Sequence, residues 1–351
     1  MSLTMFLIDI TPPKNDVHDP ILNQSIDNYL INNSKFHGHG LICYINRPSV
    51  IIGSAQNAFA EVDLNYLAKN DVSLVRRTSG GGAVYHDEGN IIFENIISGT
   101  QEHFGDYDYF ACPILTALAD MGLTNAEINA KSALIANEHK FSGMCMIKGK
   151  DGYAAGGTLM FDLNIQNARK ALTPKKRNQV KRGVLSTDRS ITNLAPLMPM
   201  RIANMSTEQF KNELLKHLFH VKHLADIPTY HLTETDWKNI YDLVHKKYGR
   251  NVWNYGKNPD FEYYANLSYS SSSMHINFSL QCNKLSQVKV FGTNITADAA
   301  EVLEKALLGV TLDAKPLQEL LSETFLNTSP GLLNKVINAL MSAENTHQIL
   351  G

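Results

Sequence analysis

The sequence predicts an α/β (α+β) protein in two parts. An N-terminal domain alternates short strands with helices, and a small α+β domain follows it. Three observations predict this. Short apolar runs alternate with stretches of helical period over most of the chain. From residue 261 the texture changes to strands with two-residue alternation, then to helical stretches. The length of 351 residues suits about two domains of roughly 150 residues each.

The elements follow in order. Met5 to Ile10 is an apolar run, broken by Pro12-Pro13. Asp19-Pro20 reads as an N-cap with proline at the first helical position. Ile21, Leu22, Ile26, Tyr29 and Leu30 then recur at helical spacing over 20–32. Leu41 to Ile45 and Val50 to Ile52 are strand-like, separated by the turn Asn46 to Ser49. Asp63 caps a short helix to Lys69, and Val72 to Val75 is a strand running into a glycine cluster. Asn90 to Ile97 is β-rich. Tyr107 to Met121 reads as helix ending at Gly122, with Pro113 limiting where it starts. Leu134-Ile135, Met144 to Ile147 and Thr158 to Leu163 are short strands around turns. Residues 174–189 are a polar, basic loop. Ser206 with Gln209 forms a capping-box pattern before Phe210, Leu214, Leu215 and Leu218. Trp237 to Tyr248 is helical and stops at Gly249. Residues 253–259 are a turn-rich junction, 261–291 a strand meander, and 297–308, 314–322 and 330–342 helices.

Composition excludes several classes. Hydrophobic residues at 44% against 19% charged can bury a core. The balance of 32 basic and 34 acidic residues, 32 − 34 = −2, excludes a globally basic nucleic-acid coat. Lys175-Lys176-Arg177 with Lys181-Arg182 is a local basic stretch, but no aromatics interleave it, so no nucleic-acid partner is expected. No window approaches the ~20 apolar residues a membrane span needs, and the N-terminus has no secretion pattern. Four scattered cysteines without a CxxC pair point to a reducing compartment, the cytoplasm.

Three segments carry chemistry. The first runs from Arg76 to Asn90, RRTSGGGAVYHDEGN. Three glycines leave backbone N–H groups unshielded, so the chain can wrap an anion. The two arginines add charge and bidentate donors, and His86, Asp87 and Asn90 add polar groups beyond. No Gly-Lys-Ser/Thr follows, so this is no Walker loop. The bland alternative is a glycine hairpin with surface arginines. The second segment is Glu138 to Gly143, where Lys140 offers a point charge able to contact a phosphate and a carbonyl oxygen. Its bland alternative is a solvated lysine near a Ser-Gly turn. The third, Gly156 to Asp162, reads alone as a β-turn into a strand.

Together these segments resemble the lipoate–protein ligase A family, within the biotin/lipoate ligase superfamily. Arg76 to Asn90 matches the family's RRxSGGGxVxHDxGN, Lys140 to Gly143 its K-x-S-G, and Gly157-Thr158-Leu159 part of its HGTL. Asp19 to Leu30, Gly53 to Asn57, Gly183 to Leu194 and Trp253 to Phe261 match weaker segments in order, so the resemblance spans nearly the whole chain. It implies a ligase-like catalytic domain with a mixed sheet over 5–248, a linker over 249–258 and an accessory domain over 259–351. It implies ATP-dependent ligation of lipoate, through lipoyl-AMP, to a lysine of an acceptor. Acceptors would be apo lipoyl domains of 2-oxoacid dehydrogenase E2 subunits or glycine cleavage H protein. Arg77, Ser79, Gly82, Ala83, Val84, Tyr85, Asn90, Lys140, Gly157 and Thr158 would line the adenylate, with Lys140 catalytic. Mg²⁺ would arrive with ATP; Asp87 and Asp162 are its candidate carboxylates.

The chain departs from the family in places. Gly156 replaces the HGTL histidine, Ser54 stands where an arginine is usual, and Asn129 to Ser132 keeps neither Arg nor Asp of a GRND-type segment. Thr187 to Ser190 is poorer in arginine. A low-activity paralogue that binds the acceptor is therefore one alternative. Another is a cofactor-independent lipoyl or octanoyl acyltransferase on the same fold, using a cysteine thioester. Tyr153 occupies the expected cysteine position and Cys145 lies nearby. A biotin ligase is a further relative. No HExxH or i,i+4 histidine pair suggests zinc.

Overall fold

The computed structural model describes residues 5–14, 16–33, 37–129, 132–173, 186, 190–325 and 330–347. The predicted loop 174–189, apart from Ser186, lies outside them, as do residues 130 and 131.

Among the described residues the large sheet is mixed and has eight strands. Met5–Asp9 runs parallel to Gly38–Ile45 on one side and to the short edge strand Thr229–His231 on the other. From Gly38–Ile45 onward all pairing is antiparallel: Asn90–Ser98, Gly152–Met160, His139–Lys148, Ala133–Ala136, then Glu127–Ile128.

Strand alternation sends side chains to two faces. Ile42, Ile92 and Ile96 meet Leu22, Ile26, Tyr29 and Leu30 of the helix Pro20–Asn33, with Trp237 and Ile240 of the helix Glu234–Leu243. Leu41, Ile91, Phe93 and Ile97 point the other way, onto Phe110, Ile114 and Leu118 of Tyr107–Asp120 and Phe210 and Leu214 of Thr207–Phe219. Each large side chain so buried contributes roughly 1.5–3 kcal/mol. The predicted capping box forms: Ser206 accepts from Gln209 N, and the Gln209 side chain accepts from Ser206 N. Asp63 likewise caps Leu64–Lys69 by accepting from Tyr66 N. A small sheet, with Ser49–Ile52 between Ser73–Arg76 and Val84–His86, carries the glycine loop.

The C-terminal domain has its own antiparallel sheet, Tyr263–Tyr269, Ser272–Gln281 and Lys284–Gly292, edged by Glu344–Asn345. Helices Ala297–Leu307, Ala314–Thr324 and Pro330–Met341 close its core on Ile276, Phe278 and Leu285.

Three local readings need correction. Pro113 lies inside the helix Tyr107–Asp120 rather than near its start, which the side chain of Asp106 caps. Gly156-Gly157 is no turn; both lie inside the strand Gly152–Met160. A Cβ would stand 2.1 Å from Phe93 O at Gly156 and 2.3 Å from Gly143 O at Gly157, so close backbone approach requires glycine here. Residues 139–143 are likewise strand, not turn.

Candidate active site

Three cavities run in series beneath the glycine loop. The outer one, about 260 Å³, is lined by Glu61, Tyr85, Asn90, Met160, Leu163 and Ile191 among others. The middle one, about 210 Å³, has Ile51, Ile92, Met144, Gly157 and the glycines Gly80 to Gly82 on its walls. The inner one, about 40 Å³, is bounded by Ser79, Ile31, Ile147 and Ala154. Outer and middle share Ala83, Val84, Lys140, Gly143, Thr158 and Ser186. Middle and inner share Gln24, Asp27, Arg77, Glu94 and Cys145. Outer and inner share no residue, which fixes the order.

All ten residues singled out from the sequence line this series. Arg77 and Ser79 lie toward its inner end, Gly82 and Gly157 in the middle, and Tyr85 and Asn90 in the outer cavity. Ala83, Val84, Thr158 and Lys140 lie at the outer seam. Lys140 reaches the seam because Gly143 has no side chain: a Cβ there would sit 2.6 Å from Lys140 Nζ. The ammonium therefore lies against bare backbone, facing both cavities.

The two arginines part company. Arg77 donates to Ile51 O, to Gly80 O at 2.7 Å and to Gly82 O at 2.8 Å, so its guanidinium shapes the glycine loop from the cleft side. Arg76 points away and is fully buried. It donates to Gly53 O, Gln56 O, Trp253 O and Asn258 Oδ1, while Trp253 Nε1 donates back to Arg76 O. Burial, then the charge of Arg77, lowers its pKa to about 9, still cationic at neutral pH. The expectation of two cations on one anion is thus corrected to one: neighbours on a strand face opposite sides.

The candidate carboxylates for Mg²⁺ do not face the series. Asp87 accepts from Gly89 N and Asn164 N, and with Asp162 it lines a broad cleft of about 1010 Å³ elsewhere. Among the described residues no group of three His, Cys, Asp or Glu could hold a metal. Glu61, which sequence reasoning missed, is the buried carboxylate of the outer cavity. One of its oxygens accepts from Ser186 N and Oγ; the other, Oε1, is buried without a partner. Ser186 Oγ in turn accepts from Ala83 N at 2.8 Å.

Buried polar atoms without partners concentrate here. Both amide atoms of Asn90 are unpaired, as are Asp27 Oδ1 and His86 Nε2. The His86 tautomer follows from its neighbours. Asn23 Nδ2 donates to Val17 O, so it also donates to Asn46 Oδ1, and Asn46 Nδ2 must face His86 Nδ1. Burial, with a smaller contribution from Arg77, lowers the His86 pKa to about 3. The ring is neutral with its proton on Nε2, aimed into the middle cavity. Asp27 lies well above the carboxylate range through burial, then the charge of Glu94, opposed by Tyr44. Burial lifts Glu94 to about 7, with Arg77 opposing. Cys145 lines the middle and inner cavities, and burial raises its pKa, disfavouring the thiolate. Tyr153 is buried, its hydroxyl donating to Glu102 O.

Asp27 and Glu94 were also missed. The signal was present: Asp27 interrupts the apolar face of its helix, and Glu94 is the lone charge in an apolar strand.

The sequence model of a family described as the lipoyl protein ligase A/B catalytic domain matches residues 19–219. That of the bacterial lipoate protein ligase C-terminus matches 258–342. The chain belongs to the lipoyl protein ligase A/B family. It is 30% identical over 306 residues to lipoate-protein ligase LplJ of Bacillus subtilis, covering 87% of this chain and 91% of that one. It is 32% identical over 311 residues to lipoate–protein ligase 1 of Staphylococcus aureus, covering 88% and 92%. Solved structures share the ligase fold at lower identity. P. falciparum LipL1 in complex with lipoate has TM-score 0.55 at 22% identity, covering 96% of this chain and 98% of that one. A lipoate-protein ligase A bound with ATP has TM-score 0.55 at 22%, covering 73% and 100%. A bipartite Thermoplasma acidophilum ligase, described with its E2 lipoyl domain, has TM-score 0.58 at 23%, covering 77% and 99%. Among the described residues of this ligase, no helix is long and apolar enough to cross a membrane.

Proposed function

We propose that this lipoate–protein ligase works in two half-reactions through lipoyl-AMP, with nucleotide in the outer cavity and the acyl chain in the middle one. The observation that carries this reading is the seam: two cavities meet at Lys140, Gly143 and Thr158. One cavity has a polar reader in Asn90, and the other has apolar walls in Ile51, Ile92 and Met144.

In the first step a lipoate carboxylate oxygen attacks the α-phosphorus of ATP, and the bond to the leaving pyrophosphate breaks. Negative charge develops on the phosphoryl oxygens. The Lys140 ammonium and the loop amides around Gly82 to Val84 stabilise that charge. Asn90 offers an unpaired donor and acceptor to the edge of the base. In the second step the lysine ε-amine of the acceptor attacks the acyl carbonyl, loses a proton and expels AMP. Lys140 polarises that carbonyl. Tyr85, Thr158 and Gly157 wall the mixed anhydride, and Arg77 and Ser79 hold the loop and the inner slot. No enzyme nucleophile takes part, in keeping with a Cys145 thiol held protonated.

Mg²⁺ would ride on the triphosphate, neutralising charge as pyrophosphate leaves. Glu61 Oε1 is the carboxylate oxygen of the outer cavity free to meet it. The acceptors we assign are apo lipoyl domains of E2 subunits or glycine cleavage H protein, supported by the E2 lipoyl domain described with the Thermoplasma ligase. We divide the chain into a catalytic domain over 5–248, a linker over 249–258 and an accessory domain over 259–351. Four free cysteines suit a reducing compartment, the cytoplasm.

Mass spectrometry of an apo H protein incubated with enzyme, lipoate and Mg-ATP tests the reading. The expected result is a lipoyl mass increment that needs ATP and survives Cys145→Ala. An ATP-independent transfer abolished by Cys145→Ala would replace it with the thioester route.

A further inference from the structure

A slot for an alkyl chain wants apolar walls, because a buried carboxyl with no hydrogen-bond partner is destabilising. The inner end of the middle cavity breaks that rule. Asp27 is 5% exposed. Its Oδ2 accepts from Tyr44 OH at 2.9 Å and Gln24 Nε2 at 3.2 Å, while Oδ1 is buried and unpaired. Glu94 lies on the strand face of Ile92 and Ile96, and no hydrogen bond to its side chain occurs among the described residues.

Gly156 makes room for Glu94. The two are register partners, and a Cβ on Gly156 would lie 2.8 Å from Glu94 Cγ. This is the position where the chain lacks the family's histidine, and the room it leaves is taken by Glu94. Facing the same cavity, His86 Nε2–H is a buried donor without an acceptor. The middle cavity therefore offers unpaired carboxyl oxygens at its inner end and an unmet donor on its wall. Arg77, which lines the same end, offsets the negative charge, so a neutral group fits better than an ammonium.

We propose that Asp27 and Glu94 set the acyl specificity of this ligase, favouring an eight-carbon acid with a thiol or hydroxyl at its far end over plain octanoate. The dithiol form of lipoate is such an acid. A thiol or hydroxyl can donate to Asp27 or Glu94 and accept from His86. A methyl terminus leaves Asp27 Oδ1 and His86 Nε2 unpaired, and sites built to bond a polar group reject analogues that lack it. The inference rests on the middle cavity being the acyl slot.

Calorimetry of the full chain with octanoate, 8-hydroxyoctanoate and dihydrolipoate under a phosphine reductant tests it, alongside pyrophosphate release with Mg-ATP. Wild type should bind the two polar-ended acids about tenfold or more tightly than octanoate. Glu94→Leu should tighten octanoate and bring the ratio to within about threefold, and Asp27→Leu, which removes the unpaired polar atom, should also shrink it. Equal affinities in wild type, no binding of any acid, or a ratio unchanged in both variants would overturn the proposal. Preserved binding ratios with no pyrophosphate release from any acid would instead remove the adenylation reading and leave the specificity standing.

Discussion

The junction behind the glycine loop and the cavities in front of it are both buried and both polar, yet their hydrogen bonding is opposite. Behind the loop, Asn258 Oδ1 accepts from Ala58 N and Arg76, and its Nδ2 donates to Tyr255 O and Asn277 Oδ1. Asn254 accepts from Arg76 N and donates to Tyr248 O. In front, Asn90, Asp27, His86 and Glu61 keep unpaired atoms. Satisfied buried polarity rigidifies a scaffold, whereas unsatisfied buried polarity is costly and marks where a ligand completes the bonding. Arg76 and Arg77, adjacent in sequence, stand on either side of that divide.

The largest effect expected from this contrast is Lys140→Ala. It should lower the rate of pyrophosphate release about 10²–10³-fold, as removal of one preorganised donor does, with the melting temperature within a degree or two of wild type. A stable but fully active variant would break the comparison on the ligand side. On the scaffold side, Arg76→Met should do the reverse. It strands several buried carbonyls, costing about 3 kcal/mol or more, and calorimetry should record a clear drop in Tm. Unchanged Tm would mean that the junction is not the brace described here.

Glu94→Gln sharpens the contrast through pH. The folded carboxyl titrates at about 7, against an ordinary glutamate value of 4.5. A raised folded pKa means stability is full below about 4.5 and lost as pH rises through 7. Glutamine carries no such penalty. The variant should therefore match wild type near pH 4 and exceed it at pH 8, by on the order of 3 kcal/mol, in urea unfolding at the two pH values. A constant difference would place the burial cost elsewhere. The smallest effect is Asn90→Leu. Its amide bonds nothing, so stability should change by less than ~1 kcal/mol, while KM for ATP rises about tenfold. Asn258→Leu should destabilise and leave that KM unaltered.

Much of this was legible in the chain. The glycine run with Arg77, and Lys140 before Ser142-Gly143, carried the loop and the seam because their chemistry is local. The helix caps at Asp63 and Ser206 were legible for the same reason. What failed was long-range. Gly156-Gly157 looks like a turn in sequence, and only the approach of Phe93 and Gly143 across the sheet makes it a strand. Asp87 looked like a metal ligand, but Gly89 N and Asn164 N already occupy it. The opposed arginines could have been read from strand alternation, had the strand Ser73–Arg76 been carried to its end. Glu94 meets Asp27 only when helix and sheet pack.

The proposed placement of acyl chain and nucleotide in consecutive cavities joined at Lys140 can be seen directly. A crystal structure with a non-hydrolysable lipoyl-adenylate analogue tests it most directly. The expected result is the adenine beside Asn90, the chain running past Met144 toward Glu94, and the Lys140 ammonium within hydrogen-bond distance of the acyl-phosphate link. An adenylate bound in the broad cleft lined by Asp87 and Asp162, with Lys140 remote from it, would overturn this placement.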